Sequence, residues 1–327
     1  MKVLVTGAPG WLGTRLVEML REHGREVRCL VLPTMDDSLL IRLGAEIFNG
    51  DLSQPETLNG LCEKITTVFH CAGIIHPNRV KEFYGLNLKG TENVLEEAIK
   101  SCVKRFIYVS SNSVGGVNIS RDILMQESDS PRPYKHYGLS KYKAEELVNR
   151  AFKKGKINTT IIRPCWFYGV RQPERQTTFF KMIKKGNPII FGDGNNLRSM
   201  SYIDNIIEAL LLIEEKDVSI GKTYWIADKR PYSTMEIYQT IAKLLGVENF
   251  KPLYVPKQVS TLCEFMDTVI QGLGLYIKEI HVAGEMDKDI ACSIKKAQEE
   301  LGYEPKIDLE EGMRRSIEWC RVNNIDI

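Results

Sequence analysis

Thr6-Gly7-Ala8-Pro9-Gly10-Trp11-Leu12-Gly13 is the stretch that decides the fold. It follows a predicted strand, Lys2 to Thr6, and opens a predicted helix, Leu12 to Glu22, which is the setting a dinucleotide-binding loop requires. In that setting Gly7 permits the tight turn, Gly10 lets the backbone approach a pyrophosphate, and Gly13 lets the helix pack closely on the strand. The start of the helix then offers free N–H groups and a positive dipole end to phosphates. Glycine is enriched at any strand-to-helix turn, so the loop takes its meaning from its position and flanks.

Outward from this loop, β-branched runs alternate with helical stretches. Strands are predicted at Lys2 to Thr6, Glu26 to Val31, Glu46 to Asn49, Thr67 to Cys71, Arg105 to Ser110 and Asn158 to Arg163. Helices are predicted at Leu12 to Glu22, Thr57 to Leu61, Gly90 to Lys100 and Lys135 to Lys153. With right-handed crossovers this is an α/β, doubly wound parallel sheet of the Rossmann type. The rhythm changes after Arg163 and Pro164, and helical segments dominate from Ser233 to a final helix at Leu309 to Asn323. The expected division is a dinucleotide-binding domain over residues 1–163, rejoined by about 200–227, and a smaller, mainly helical substrate lobe over 164–199 and 228–327.

Bulk composition excludes several function classes. The 327 residues carry 44 basic and 42 acidic side chains, a net charge of +2 without blocks, so no nucleic-acid footprint is expected. The eight cysteines stand singly, without the close pairs of metal or thioredoxin-like sites, and read as buried free thiols. No apolar run approaches the ~18 residues of a membrane span. Met1 and Lys2 lead straight into Val3, Leu4, Val5 and Gly7, with no secretory core. A small-molecule substrate, no membrane partner, no bound metal and a cytoplasmic location are the expectations.

The second strand should end in a residue that reads the adenine-side ribose, an acid for a 2′-hydroxyl or a base for a 2′-phosphate. It reads Val27-Arg28-Cys29-Leu30-Val31-Leu32, with neither acid nor base at the tip, which favours NAD over NADP. Asp51, before Leu52, is placed to accept the adenine amino group or to act as a simple cap.

The chemistry is expected at Tyr137-Gly138-Leu139-Ser140-Lys141. Residues four apart share a helix face, so a phenol and an ammonium can meet one ligand. A phenol with a pKa near ~10 is a poor base at neutral pH, and a neighbouring cation favours its ionised form. The alternative for such a pair is a solvated helix face. Hydroxyls for the same site stand at Ser110, Ser111 and Ser113, where a strand reaches the carboxyl edge of the sheet.

Taken together, these stretches resemble the extended short-chain dehydrogenase/reductase superfamily, specifically its NAD-dependent epimerase/dehydratase family. The likeness runs through Thr6 to Gly13, Asp51 and Leu52, His70 to Gly73, Asn87 with Gly90 and Thr91, Ser110 to Gly116, Tyr137 to Lys141, Arg163 with Pro164, Tyr202 to Asp204, and Leu301 to Pro305. The resemblance implies Tyr137 as acid/base, Lys141 as its cationic partner and ribose ligand, and Ser111 as the donor to the reacting oxygen, with Ser113 as helper. It implies a cofactor site of Gly7, Gly10, Trp11, Leu12, Gly13, Asp51, Leu52, Cys71, Ala72, Gly73, Asn87, Val109 and Pro164, together with Tyr137 and Lys141. The cofactor expected is NAD, with NADP the alternative. Pairing through Gly90 to Lys100 and Lys135 to Lys153 would make a homodimer.

Dehydratases of the family resemble one another in carrying an Asp and Glu after the position of Ser111. Asn112 and Ser113 stand here, which disfavours elimination. Gly192-Asp193-Gly194, Arg198 and Tyr202-Ile203-Asp204 are similar to a run whose arginine grips a substrate pyrophosphate, so a nucleotide-sugar epimerase is expected. The alternative for Arg198 is a loop salt bridge. Two features depart from that pattern: no second arginine stands near Ala283 to Asp287, and Trp166 is assigned to the substrate site or to packing. The alternative is an alcohol or ketone oxidoreductase resembling hydroxysteroid dehydrogenases and dihydroflavonol reductases, with Val259 to Leu275 as an apolar lid or as ordinary packing of the second lobe. A silent dinucleotide-sensing module is a third reading, disfavoured because it would have no use for a base.

Overall fold

Val3, Leu4 and Val5 are apolar on both sides of the strand they form, a pattern that calls for cover on both faces. In the computed structural model, which describes residues 1–327 apart from the side chain of residue 175, all three are fully buried. They lie in β1 (Lys2–Thr6), inside a parallel sheet with β2 (Glu26–Val31), β3 (Glu46–Asn49), β4 (Thr67–His70), β5 (Arg105–Val109), β6 (Asn158–Pro164) and β7 (Thr223–Ile226). The seven strands run in the order β7, β6, β5, β4, β1, β2, β3. Val5 is in register with Cys29 on one side and Phe69 on the other. Strand order therefore reverses between β1 and β4, and in sheets of this kind ligands bind beyond the carboxyl ends of the strands at such a reversal.

Helices cover both faces. One core joins α1 (Trp11–Glu22) through Leu16, Val17 and Leu20 to Ile206 and Leu210. The other joins α2 (Thr91–Lys100) and α3 (Lys135–Lys153) through Val94, Ala98, Ala144 and Val148 to Leu4, Val68 and Phe106. Beyond β6 the chain leaves the sheet and pairs Trp166–Tyr168 with Met200–Tyr202. It returns through α4 (Ile203–Glu215) to β7, which lies beside β6. The remaining chain contributes α5 (Lys257–Gly272), α6 (Lys278–Glu285) and α7 (Leu309–Val322), among shorter elements.

The expected doubly wound sheet is present, and three local expectations are corrected. Thr57 to Leu61 is a single tight turn at Pro55–Leu58, because Gly60 takes φ +80 and ends it. The helix expected from Gly90 starts at Thr91, preceded by a widened turn of π type at Tyr84–Gly90. The thiols are not uniformly buried: Cys29, Cys62, Cys165, Cys292 and Cys320 are, whereas Cys102 is exposed.

Candidate active site

The glycine loop closes around one carbonyl. Gly7 adopts φ +85, and a Cβ there would lie 2.7 Å from the Ala72 amide nitrogen. A Cβ on Gly10 would lie 2.6 Å from Gly7 O, and one on Gly13 2.5 Å from the same oxygen. Gly10 N–H donates to that oxygen at 2.9 Å, and no side chain caps α1. The first amides of α1 are thus left for an anionic ligand, at a cradle that any Cβ would fill. Trp11 is turned to one side, its Nε1–H donating to Val170 O at 2.6 Å, and Leu12 is buried in the core.

Two residues weighed for the adenine end of the cofactor have partners within the chain. Arg28 donates to Leu61 O at 2.7 Å and pairs with Glu46, so it is not presented to a 2′-phosphate. The Asp51 carboxylate accepts the Ser53 N–H at 2.8 Å, and the following turn is capped at Gln54 and not at Asp51. Leu52 packs against Gly90, where a Cβ would stand 3.1 Å away.

His70, at the end of β4, shares hydrogen bonds with Thr6 Oγ1 at 2.8 Å and Thr91 Oγ1 at 2.9 Å. Burial and the charge of Lys141 push its pKa down to about 3, so it is neutral and holds β1, β4 and α2 together. Cys71, Ala72 and Gly73 follow it. Asn87, inside the widened turn, accepts the Ile74 N–H at 2.8 Å and donates to Ile74 O at 3.1 Å, fixing that strand exit. It also donates to Ser140 Oγ at 3.1 Å, which ties the exit to the helix of Tyr137.

Lys141 is buried, with Nζ donating to Val109 O at 2.7 Å and lying 4.5 Å from the Tyr108 ring centre. Burial lowers its pKa to about 8, against the opposing pull of Glu145. Tyr137, on the preceding helix turn, is half-buried with its ring against Phe83 at 5.7 Å. Ser111 Oγ accepts the Ser113 N–H at 3.2 Å and lies 3.3 Å from Ser113 Oγ. Gly138 brings these parts together: a Cβ there would stand 2.4 Å from Ser113 O, the same oxygen that accepts the Tyr134 N–H at 2.8 Å. The start of α3 can therefore sit directly on the serine loop.

Two supports escaped the sequence reading. Glu145, one turn beyond Lys141, makes a bidentate buried pair with Arg163 at 2.9 and 2.6 Å, which anchors α3 to β6 beside Pro164. Its spacing from Lys141 could have signalled it. Tyr276 packs on Phe83 at 5.4 Å and lies 5.2 Å from His281, whose Nδ1 meets Asp267 Oδ2 at 2.8 Å. Nothing in the local sequence links those residues to Tyr137.

Arg198 and Trp166, the residues expected to bind substrate, meet, with the guanidinium carbon 5.2 Å from the indole centre. Arg198 is 6% exposed, donates through Nη2 to Glu285 O, and has a buried Nε with no hydrogen-bond partner among the described residues. The segment Val259 to Leu275 differs from the expected apolar lid. It forms α5, whose buried residues are Ser260, Asp267 and Gln271, while its apolar side chains face outward.

The model of the NAD-dependent epimerase/dehydratase family matches residues 3–227. The chain belongs to that family. Its relatives include the uncharacterised protein y4nL of Sinorhizobium fredii, 38% identical over 98% of this chain and 95% of that protein. The UDP-glucose 4-epimerase of Vibrio cholerae is 27% identical over 98% of this chain and 96% of its own. Among solved structures, the UDP-glucose 4-epimerase of Thermotoga maritima with UDP-glucose superposes with a TM-score of 0.81 at 26% identity, covering 99% of this chain and 100% of that one. This epimerase/dehydratase-family chain is accordingly an NAD-dependent enzyme.

Proposed function

We propose that the chain is a nucleotide-sugar epimerase that works at a secondary alcohol carbon, with Tyr137 as its acid/base. The observation that carries the nucleotide-sugar reading is Arg198, a buried guanidinium laid on Trp166 with one donor unmet. Phosphate oxygens suit that fork, and a buried cation with an open donor gains from them. The likeness to UDP-glucose 4-epimerases agrees with this choice.

The residues present fit the cofactor: the amides opening α1 and the glycine cradle would take its diphosphate, and Lys141 would hold its ribose. When bound, NAD supplies a hydride acceptor that is restored within each cycle. Tyr137 Oη takes the proton from the substrate hydroxyl and later returns it to the same oxygen. Lys141 favours the ionised phenol during that exchange, and Ser111 Oγ–H donates to the reacting oxygen. Gly138 and Asn87 set the distance between the phenol and the strand exits. The homodimer through α2 and α3 belongs to this reading and is tested by light scattering.

The test is incubation with UDP-glucose, UDP-N-acetylglucosamine and their C4 epimers, followed by NMR. Interconversion without net NADH supports the proposal; absence of interconversion with all four, in protein that binds NAD, overturns it. A second reading rests on the cavity beneath Trp166, which Phe179, Met200, Ile237, Tyr238 and Met286 line. Those side chains are apolar, as the alternative of an alcohol or ketone oxidoreductase would want near its substrate, and steady NADH formation with a hydrophobic secondary alcohol would favour it.

A further inference from the structure

α5 is amphipathic in the opposite sense from a core helix. Val259, Leu262, Phe265, Met266, Val269 and Leu273 recur at helical spacing and are 41%, 57%, 66%, 42%, 48% and 75% exposed. Its inner face is polar: Ser260 Oγ donates to Ala283 O at 2.8 Å, Asp267 meets His281, and the Gln271 amide donates to Asp267. Glu264, the other carboxylate of this helix, pairs with Lys288. The helix is thus held to the protein by hydrogen bonds and ion pairs, and it offers its apolar stripe to whatever lies outside. A contiguous apolar face of this kind on a folded chain marks an interaction surface.

We propose that α5 is an interfacial anchor that holds the protein on an anionic membrane surface. Its outward face carries no carboxylate, and cations flank it: Lys257 at its first residue, Lys278 at the first residue of α6, and Arg79 and Lys81 on the segment that bridges to Leu275. None of these four takes part in an ion pair among the described residues, although the surface elsewhere is rich in such pairs. Glu82 and Glu279 lie among them, and the rim stays net cationic. An apolar stripe with a basic border suits the headgroup region of a lipid surface. A second copy suits it less, because a two-fold contact would set each basic rim against itself.

Among the described residues no helix is long and apolar enough to cross a membrane, and α5, with 16 residues, would lie along the surface. Docked this way, the hairpin of α5 and α6 would keep Tyr276, and through Phe83 the wall beside Tyr137, close to the lipid. The sequence expectation of no membrane partner rested on the lack of a spanning segment, and this proposal departs from it.

The test is sedimentation of the full chain with vesicles of about three parts phosphatidylcholine to one of phosphatidylglycerol, against phosphatidylcholine alone. The anionic vesicles should carry down the wild type, less so as salt rises. Leu262→Asp with Phe265→Asp, and separately Lys257→Glu with Lys278→Glu, should each lower that partition about tenfold or more while NAD binding and the circular dichroism spectrum are kept. Should the aspartate variant fail to fold, the charge-reversal variant decides. Wild type that ignores anionic vesicles overturns the proposal, as does an aspartate variant that changes only the oligomeric state in light scattering.

Discussion

Lys141 Nζ donates to the Val109 carbonyl oxygen at 2.7 Å, joining the helix that carries Tyr137 to the strand that leads into Ser111. The bond brings the ammonium into a buried position, and burial lowers its pKa to about 8. Its charge is present below that value and is lost as pH rises through it. The rate should therefore fall on the alkaline side with a limb near pH 8, and Lys141→Met should lose both the rate and that limb. A pH–rate profile of wild type without an alkaline limb would count against the role of the lysine.

Tyr137→Phe should lower kcat by about 10²- to 10⁴-fold, the usual worth of a positioned acid/base. NAD binding should remain nearly unchanged, because the glycine loop and α1 are untouched. Near wild-type turnover by this variant would remove Tyr137 from the mechanism.

Gly138→Ala puts a methyl group 2.4 Å from Ser113 O, where backbone has to move. The expected cost is about 1–3 kcal/mol of stability from overpacking. Because the movement separates Ser111 from Tyr137, kcat should fall more than the affinity for NAD. Urea unfolding beside steady-state kinetics would separate the two effects.

Glu145→Ala strands the Arg163 guanidinium in the core, and removal of one member of a buried pair costs about 3–5 kcal/mol. Replacing both residues with apolar ones should restore much of that loss. Calorimetry of the single and double variants would show it, and additive losses would mean that the pair does not act as a unit.

His70 makes stability depend on acid. Its pKa is about 3 in the fold against an ordinary value of 6.5, so the unfolded chain binds more protons between those limits. Stability from this group is full above pH 6.5 and is lost as pH falls, at up to about 1.4 kcal/mol per unit. Asp228, pushed up to about 7 by burial, opposes it over part of the same window. Comparison with His70→Gln isolates the histidine: the variant should be weaker at pH 7 yet flatter toward pH 4. Parallel curves would show that His70 does not carry the effect.

The parts legible in the sequence were those that make demands on the backbone or on one helix. Gly7, Gly10 and Gly13 crowd a single oxygen, and Tyr137 and Lys141 lie on consecutive turns of one helix, so local spacing reveals both. His70 is different, because its partners Thr6 and Thr91 lie on other elements and only the strand order brings them together. The same holds for Tyr276, which reaches Phe83 and, through it, Tyr137. α5 shows another limit. Its periodicity reveals an apolar stripe but not which way the stripe faces, and the polar contacts of Ser260, Asp267 and Gln271 reverse the expected lid.

The widened turn at Tyr84–Gly90 sets helix regularity against site geometry. Removing one residue from it would let the chain wind evenly into α2, a gain for the helix taken alone. The same deletion would swing Asn87 away from Ile74 and Ser140, and the strand exit would lose its fastening. A shortened variant could thus be the sturdier protein and the poorer enzyme, so length in this turn is under a constraint that stability measurements by themselves would miss.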